Sequence, residues 1–296
     1  RRFSARSVHA LSRRACPAPL MPLPPLLLRL CFPSPVRLTV SAAVSASRPP
    51  VPRARVTIHR MCIAIFRARW YNKDKQNSGS RNMETFANKI YTGERALFGA
   101  RDLTLTDCIF EDGESPLKES ARLSLSGCAF RWKYPLWYGH DTTLTDCTLS
   151  DNARAGIWYT ENIAVRDTVI HAPKTFRRSR GITLTGVTMT DAAETLWSCR
   201  DVTIRRLDAR GDYLLMNAEG VDAEELHLEG NYAFDGARNV TLRSSRLLTK
   251  DAFWNSENVT VCDSYIAGEY LGWNAKCLTL VNCTVESLQG FCYIDR

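Results

Sequence analysis

The chain has 296 residues, 45% of them hydrophobic and 24% charged, the composition of an ordinary globular protein, and no apolar run reaches the ~18 residues that a membrane-spanning helix needs. The formal net charge of +8 hints at nucleic acid until its distribution is read: thirteen Arg and one Lys precede the first acidic residue, Asp74, and the following 223 residues carry 25 basic against 31 acidic side chains. A basic tail precedes an acidic body, so neither nucleic acid nor membrane is an expected partner.

The tail, residues 1–82, is Arg/Pro/Ser-rich, with ten of the thirteen prolines before residue 53. Its one apolar patch, Leu26-Leu27-Leu28, is broken by flanking prolines and Arg29, so neither helix nor strand propagates there. We expect a disordered extension, not necessarily native, that does not pack on the body. A targeting peptide is the alternative. Met61 and Met83 are both plausible starts.

From Met83 the chain repeats. Leu105, Leu125, Leu144, Val165, Leu184, Ile204, Ala223, Leu242, Val261 and Leu280 recur at spacings of 19 to 21. Each sits in a short alternating segment, apolar inward and Thr, Ser or Asp outward, which reads as a half-buried strand. Further apolar columns lie three residues on (Cys108, Cys128, Cys147) and five on (Phe110, Phe130, Leu149). No 3.6-residue period competes. Residues 83–296 are therefore an all-β parallel β-solenoid of about ten coils.

A second strand is expected in mid-coil. Its core column starts at Pro116 and Leu136, and the next position outward reads Leu117, Trp137, Trp158, Arg177, Trp197, Met216, Asp235, Trp254 and Trp273. Five of the seven Trp fall in this column, which should lie outside the core. One residue further, Asn217, Asn255 and Asn274 form an expected corner ladder. Upstream runs a charged, Tyr-rich edge that includes Glu94, Glu114, Arg154, Lys174, Glu194, Asp212, Tyr213, Tyr232, Lys250, Asp251, Glu269 and Tyr270. Gly93, Gly113, Gly211, Gly230 and Gly268 precede such positions, as a turn with positive φ requires.

Trp137, Trp158, Trp197, Trp254 and Trp273, with Tyr213, Tyr232 and Tyr270, form a candidate platform for an oligosaccharide or polysaccharide. The same aromatic face serves equally as a homo-oligomer interface of a scaffold. Catalysis is a third reading. Glu114, Arg154, Glu194, Asp212 and Asp251 are candidate groups. Glu94 with Glu114, or Asp235 with Asp251, would suit a hydrolase; Arg154 or Arg177 beside Glu194 would suit a lyase.

The five His form no metal-ligand cluster, and no C-x-x-C, P-loop or G-x-G-x-x-G occurs, so no metal or cofactor is expected. The body's eight Cys read as core-filling thiols in a reducing, cytoplasmic setting. Asn239, Asn258 and Asn282 head sequons but read as turn residues.

The segments Tyr91-Thr-Gly-Glu-Arg-Ala-Leu-Phe98, Trp132-Lys-Tyr-Pro-Leu-Trp137, Ala153-Arg-Ala-Gly-Ile-Trp-Tyr159 and Gly268-Glu-Tyr-Leu-Gly-Trp-Asn274 resemble a mainly bacterial family of unassigned function. The resemblance covers about residues 84–296. It implies a single-stranded, right-handed, pectin-lyase-like β-helix, favours Met83 as the start and leaves the last coil uncapped. It implies no activity. Many pectin-lyase-like proteins act on polysaccharides, but the Asn-Thr-Asp, paired-Asp and Gly-His-Gly signatures of polygalacturonases are missing here.

Overall fold

The computed structural model describes residues 36–39 and 83–295. Eleven strands stack in one parallel column: Glu84–Ala87, Arg101–Thr106, Ala121–Ser126, His140–Thr145, Glu161–Arg166, Arg180–Met189, Arg200–Arg210, Glu219–Glu229, Arg238–Arg243, Glu257–Cys262 and Lys276–Val281. The body is a parallel β-solenoid, as the repeat requires. Glu84–Ala87 adds a coil beyond the ten expected, because Phe86 pairs in register with Leu105. The described residues contain no α-helix, only a 3-10 turn at Asp151–Ala153, and no helix long and apolar enough to cross a membrane.

The register follows from the side chains. Leu125, Leu144, Val165, Leu184 and Ile204 stack directly on one another and are at most 1% exposed. Each such burial contributes roughly 1.5–3 kcal/mol, and a slip of one residue would turn the column outward. Phe110 stacks flat on Phe130 at 4.8 Å. Cys108, Cys128 and Cys147 are buried and free, and burial pushes the Cys199 thiol up to about 12. Leu280 departs from expectation: it is only partly buried, its strand being paired on one side along its length and on the other only through the Lys276–Asp295 bridge.

Corners are made by left-handed residues. At one corner Asp102, Arg122, Asp141, Asn162, Gly181, Asp201, Gly220, Asn239, Asn258 and Cys277 all have φ between 53° and 71°. Asn tolerates that conformation best after Gly, and the Asn258 amide donates to Asn239 Oδ1 at 2.7 Å. Asn239, Asn258 and Asn282, expected as turn residues, all take left-handed φ of 52–56°; Asn282 lies at a bend, whereas Asn239 and Asn258 are the second residues of their strands. The Asn274 amide likewise donates to Asn255 Oδ1 at 2.8 Å, but Gly236 interrupts that ladder before Asn217.

Three expectations need correction. The mid-coil strand forms only in short pieces, at Ile157–Trp158 with Phe176–Arg177 and at Asp251–Ala252 with Tyr270–Leu271, with isolated bridges at Arg177–Trp197 and Ala233–Ala252; Leu196, Leu215, Phe234 and Phe253 adopt φ of 59–61°, which breaks a strand. In the first full coil Leu117, not Pro116, pairs with Leu136, so Lys118 stands in the Trp column. The extra residue falls in the turn after Phe110, where sequence spacing could not locate it. Gly93, Gly113 and Gly211 have positive φ, but Gly230 and Gly268 do not. These two are needed for close approach: a Cβ on Gly230 would strike the Gly211 carbonyl, and one on Gly268 the Thr249 carbonyl.

Of the tail, Val36–Thr39 pairs antiparallel with Thr284–Ser287. The expectation that residues 1–80 do not pack on the body fails at this strand; its remainder lies outside the described residues.

Candidate functional site

Two outward columns run side by side along one face. One holds Lys118, Trp137, Trp158, Arg177, Trp197, Met216, Asp235, Trp254 and Trp273. Three residues earlier in each coil runs the other: Tyr134, Ala155, Lys174, Glu194, Tyr213, Tyr232, Asp251 and Tyr270. The turn between them brings the columns together, so that the rings of Tyr270 and Trp273 lie 5.5 Å apart.

The tryptophans lie outside the core, half-buried, but they are not a flat platform. Trp137 stacks on Trp158 at 5.3 Å and 5°. The Arg177 guanidinium follows, 4.8 Å from the Trp158 ring and 4.6 Å from Trp197. The Trp137 and Trp158 indole N–H groups donate to the Ala155 and Lys174 carbonyls at 2.6 and 2.7 Å. Trp254 and Trp273 form a second stack at 5.5 Å. Ring faces that touch each other cannot also stack on sugars, so most of the expected platform is structural.

The Trp column is interrupted between Trp197 and Trp254, where Met216 and Asp235 carry no ring, while the ring stack itself passes from Trp197 to Tyr213 at 6.3 Å. Tyr213 and Tyr232 flank the break, stacked at 4.8 Å. Asp251 stands below Tyr232, outward in register yet only 2% exposed, and its Oδ1 has no hydrogen-bond partner. Burial raises its pKa, Lys250 opposes this, and Glu269 and Asp235 raise it further. Burial also raises Asp235, partly offset by the Asn255 amide, which donates to its Oδ1 at 3.2 Å. A buried carboxylate without a partner costs several kcal/mol, which a bound proton relieves.

Most of the other candidates are occupied. Glu114 pairs with Lys133 at 3.0 Å. Glu94 is exposed one coil above Glu114, so these two do not make a free pair. Glu194 binds Lys174 at 3.1 Å and Arg177 at 2.8 Å; burial pushes its pKa up, but the two cations outweigh it and hold it low. Arg177 is sandwiched between the Trp158 and Trp197 rings and paired with Glu194. Arg154 is exposed beside the 3-10 turn. Asp212 Oδ1 accepts the Asn231 backbone N–H at 2.7 Å, a turn contact. The Tyr270 hydroxyl is raised by its bond to Glu269.

Sequence reasoning placed Asp251 on an exposed charged edge and missed its burial; the available signal was one acid inside a Tyr column. It also missed two open hollows of about 420 and 460 Å³ around His227 and Arg246. There His227 Nδ1 lies 3.1 Å from Asp208, both exposed. No described group of three or more His, Cys, Asp or Glu is placed to hold a metal ion.

Stacked parallel coils around one apolar interior define this as a parallel β-helix protein. The chain belongs to the family described as "Protein of unknown function (DUF3737)", whose model matches residues 84–296. No curated protein matches it. Among solved structures it is similar to PfbA, a surface adhesin of Streptococcus pneumoniae, at 9% identity and TM-score 0.44, over 73% of this chain and 85% of that one. It is also similar to the A-module of the Azotobacter vinelandii mannuronan C-5 epimerase AlgE4, at 10% identity and TM-score 0.31, over 70% and 90%. Likenesses of this size carry no argument about activity.

Proposed function

We propose that the protein binds a carbohydrate chain at the break between its two Trp stacks. The observation that carries this reading is the arrangement of Tyr213, Tyr232, Asp235 and the buried, unpartnered Asp251 where the aromatic column is interrupted. Tyr213 and Tyr232, whose facing ring faces touch each other, offer ring edges and hydroxyls, and carboxyl groups bond sugar hydroxyls. The Trp stacks support the walls.

The interface reading is less favoured, because stacked rings with bonded indole N–H groups leave little for a partner to desolvate. A glycan array tests the choice. The full chain should bind at least one glycan class, Tyr232→Ala should lose most of that binding, and Trp158→Ala should retain it while losing stability. Absence of glycan binding, with a dimer in light scattering that Trp254→Ala abolishes, would replace this reading by the interface.

A further inference from the structure

We propose that the two hollows around Arg246 form a binding site for a tetrahedral oxyanion, the phosphate or sulfate ester group of a small polar molecule. The site lies earlier in each coil than the Trp column and does not depend on the carbohydrate reading. Arg246 is an exception to the way the neighbouring columns hold their arginines. Arg180, Arg200, Arg210 and Arg238 each pair with a glutamate in register on an adjacent coil, at 3.3 to 3.7 Å. Arg243, at the end of the preceding strand, pairs with Asp222 at 2.6 Å. Arg246 instead has His227 on one adjacent coil and Tyr265 on the other. It is exposed, its guanidinium lies 5.3 Å from the Tyr265 ring centre, and no carboxylate among the described residues pairs with it.

A guanidinium laid on an aromatic face is held in place while the N–H groups along its edge stay available to an oxyanion. Further unbonded donors gather around it. The hollow of about 460 Å³ is lined by Ser244, Tyr265 and Thr284 as well as Arg246 and His227, and those three hydroxyls make no bond among the described residues. Ser245 and Ser264, in the same wall, donate theirs to backbone carbonyls at 2.7 Å. The acids here are engaged elsewhere. Asp263 accepts the Asn282 amide at 2.6 Å, Asp208 lies 3.1 Å from His227 Nδ1, and Glu229 pairs with Arg210. A guanidinium and three hydroxyls, drawn from successive coils, suit an acceptor with three or four oxygens better than a carboxylate with two.

The size of the ligand follows from the second hollow. It measures about 420 Å³, shares Arg246 and His227 with the first, and continues over Thr188, Thr190 and the partly exposed Leu248. Each hollow falls within the range of small-molecule sites. The oxyanion sits in the first, and the rest of the molecule extends into the second. The residues after 73 carry 31 acids against 25 bases, which opposes unspecific attraction of anions. An anion retained by this body is therefore held by local donors.

Isothermal titration of the full chain with methyl phosphate, methyl sulfate and acetate, at constant ionic strength, tests the site. Saturable binding of at least one ester is expected, and the tighter of the two identifies the group. Methyl sulfate and acetate carry the same charge, so a difference between them reports shape. Acetate should bind about tenfold more weakly than the preferred ester, and Arg246→Gln should weaken that ester about tenfold or more. Arg243→Gln, which alters a neighbouring arginine already paired, should leave binding unchanged. Both variants are compared with the unaltered chain by circular dichroism, and Ser244→Ala with Thr284→Val supplies a second, uncharged change that should also weaken the ester. Absence of saturable binding by either ester would overturn the proposal, as would undiminished binding by folded Arg246→Gln. Acetate bound as tightly as the esters would overturn the tetrahedral class.

Discussion

Tyr232 and Asp251 occupy the same outward position on consecutive coils, fixed by the bridge between Ala233 and Ala252, yet the aspartate is only 2% exposed. The solenoid therefore holds an ionisable group where its stacking favours a ring.

That placement makes Asp251 a stability cost with a defined pH window. Its folded pKa is raised, so the cost is absent below the ordinary Asp value of about 3.9 and complete above the folded value. Asp251→Asn should stabilise the protein by about 1–3 kcal/mol at pH 8, with the gain vanishing near pH 3. Thermal denaturation at both pH values checks this, and an unchanged melting temperature at pH 8 would contradict it.

Glu194 carries the opposite sign. Lys174 and Arg177 hold its folded pKa low, so its contribution is present above the ordinary Glu value of about 4.3 and lost as pH falls through the folded value. Glu194→Gln should lower the melting temperature at pH 7 and leave it unchanged near pH 2.

The inner column tolerates no charge. Leu184 is fully buried between Val165 and Ile204, so Leu184→Asp should cost about 4 kcal/mol or more in denaturant unfolding. Equal stability would refute the column.

Two glycines separate conformation from contact. Gly93 has φ of 82° with nothing near its missing Cβ, so Gly93→Ala should cost about 1–2 kcal/mol, the left-handed penalty. At Gly230 a Cβ would meet backbone of the previous coil, which cannot yield, and Gly230→Ala should cost more. Chemical denaturation of the two variants ranks them directly.

The solenoid was legible because one physical demand, stacking like on like every 19 to 21 residues, writes itself into each inner column. The site was less so. Asp251 read as exposed because it stands with Lys250 on a charged, Tyr-rich edge, and only the folded structure, in which Lys250 is exposed and Asp251 buried, distinguishes the two. The Trp column was placed outside the core correctly, but spacing cannot tell rings that face solvent from rings that face each other. Lys118 was missed because an extra turn residue shifts that coil by one place.

The most direct measurement is a crystal structure of the protein with the oligosaccharide that binds best on the array. Sugar is expected at the break, between Trp197 and Trp254, in contact with Tyr232 and Asp235. Sugar seated on the Trp137–Trp158 stack, or on another face of the solenoid, would contradict the account.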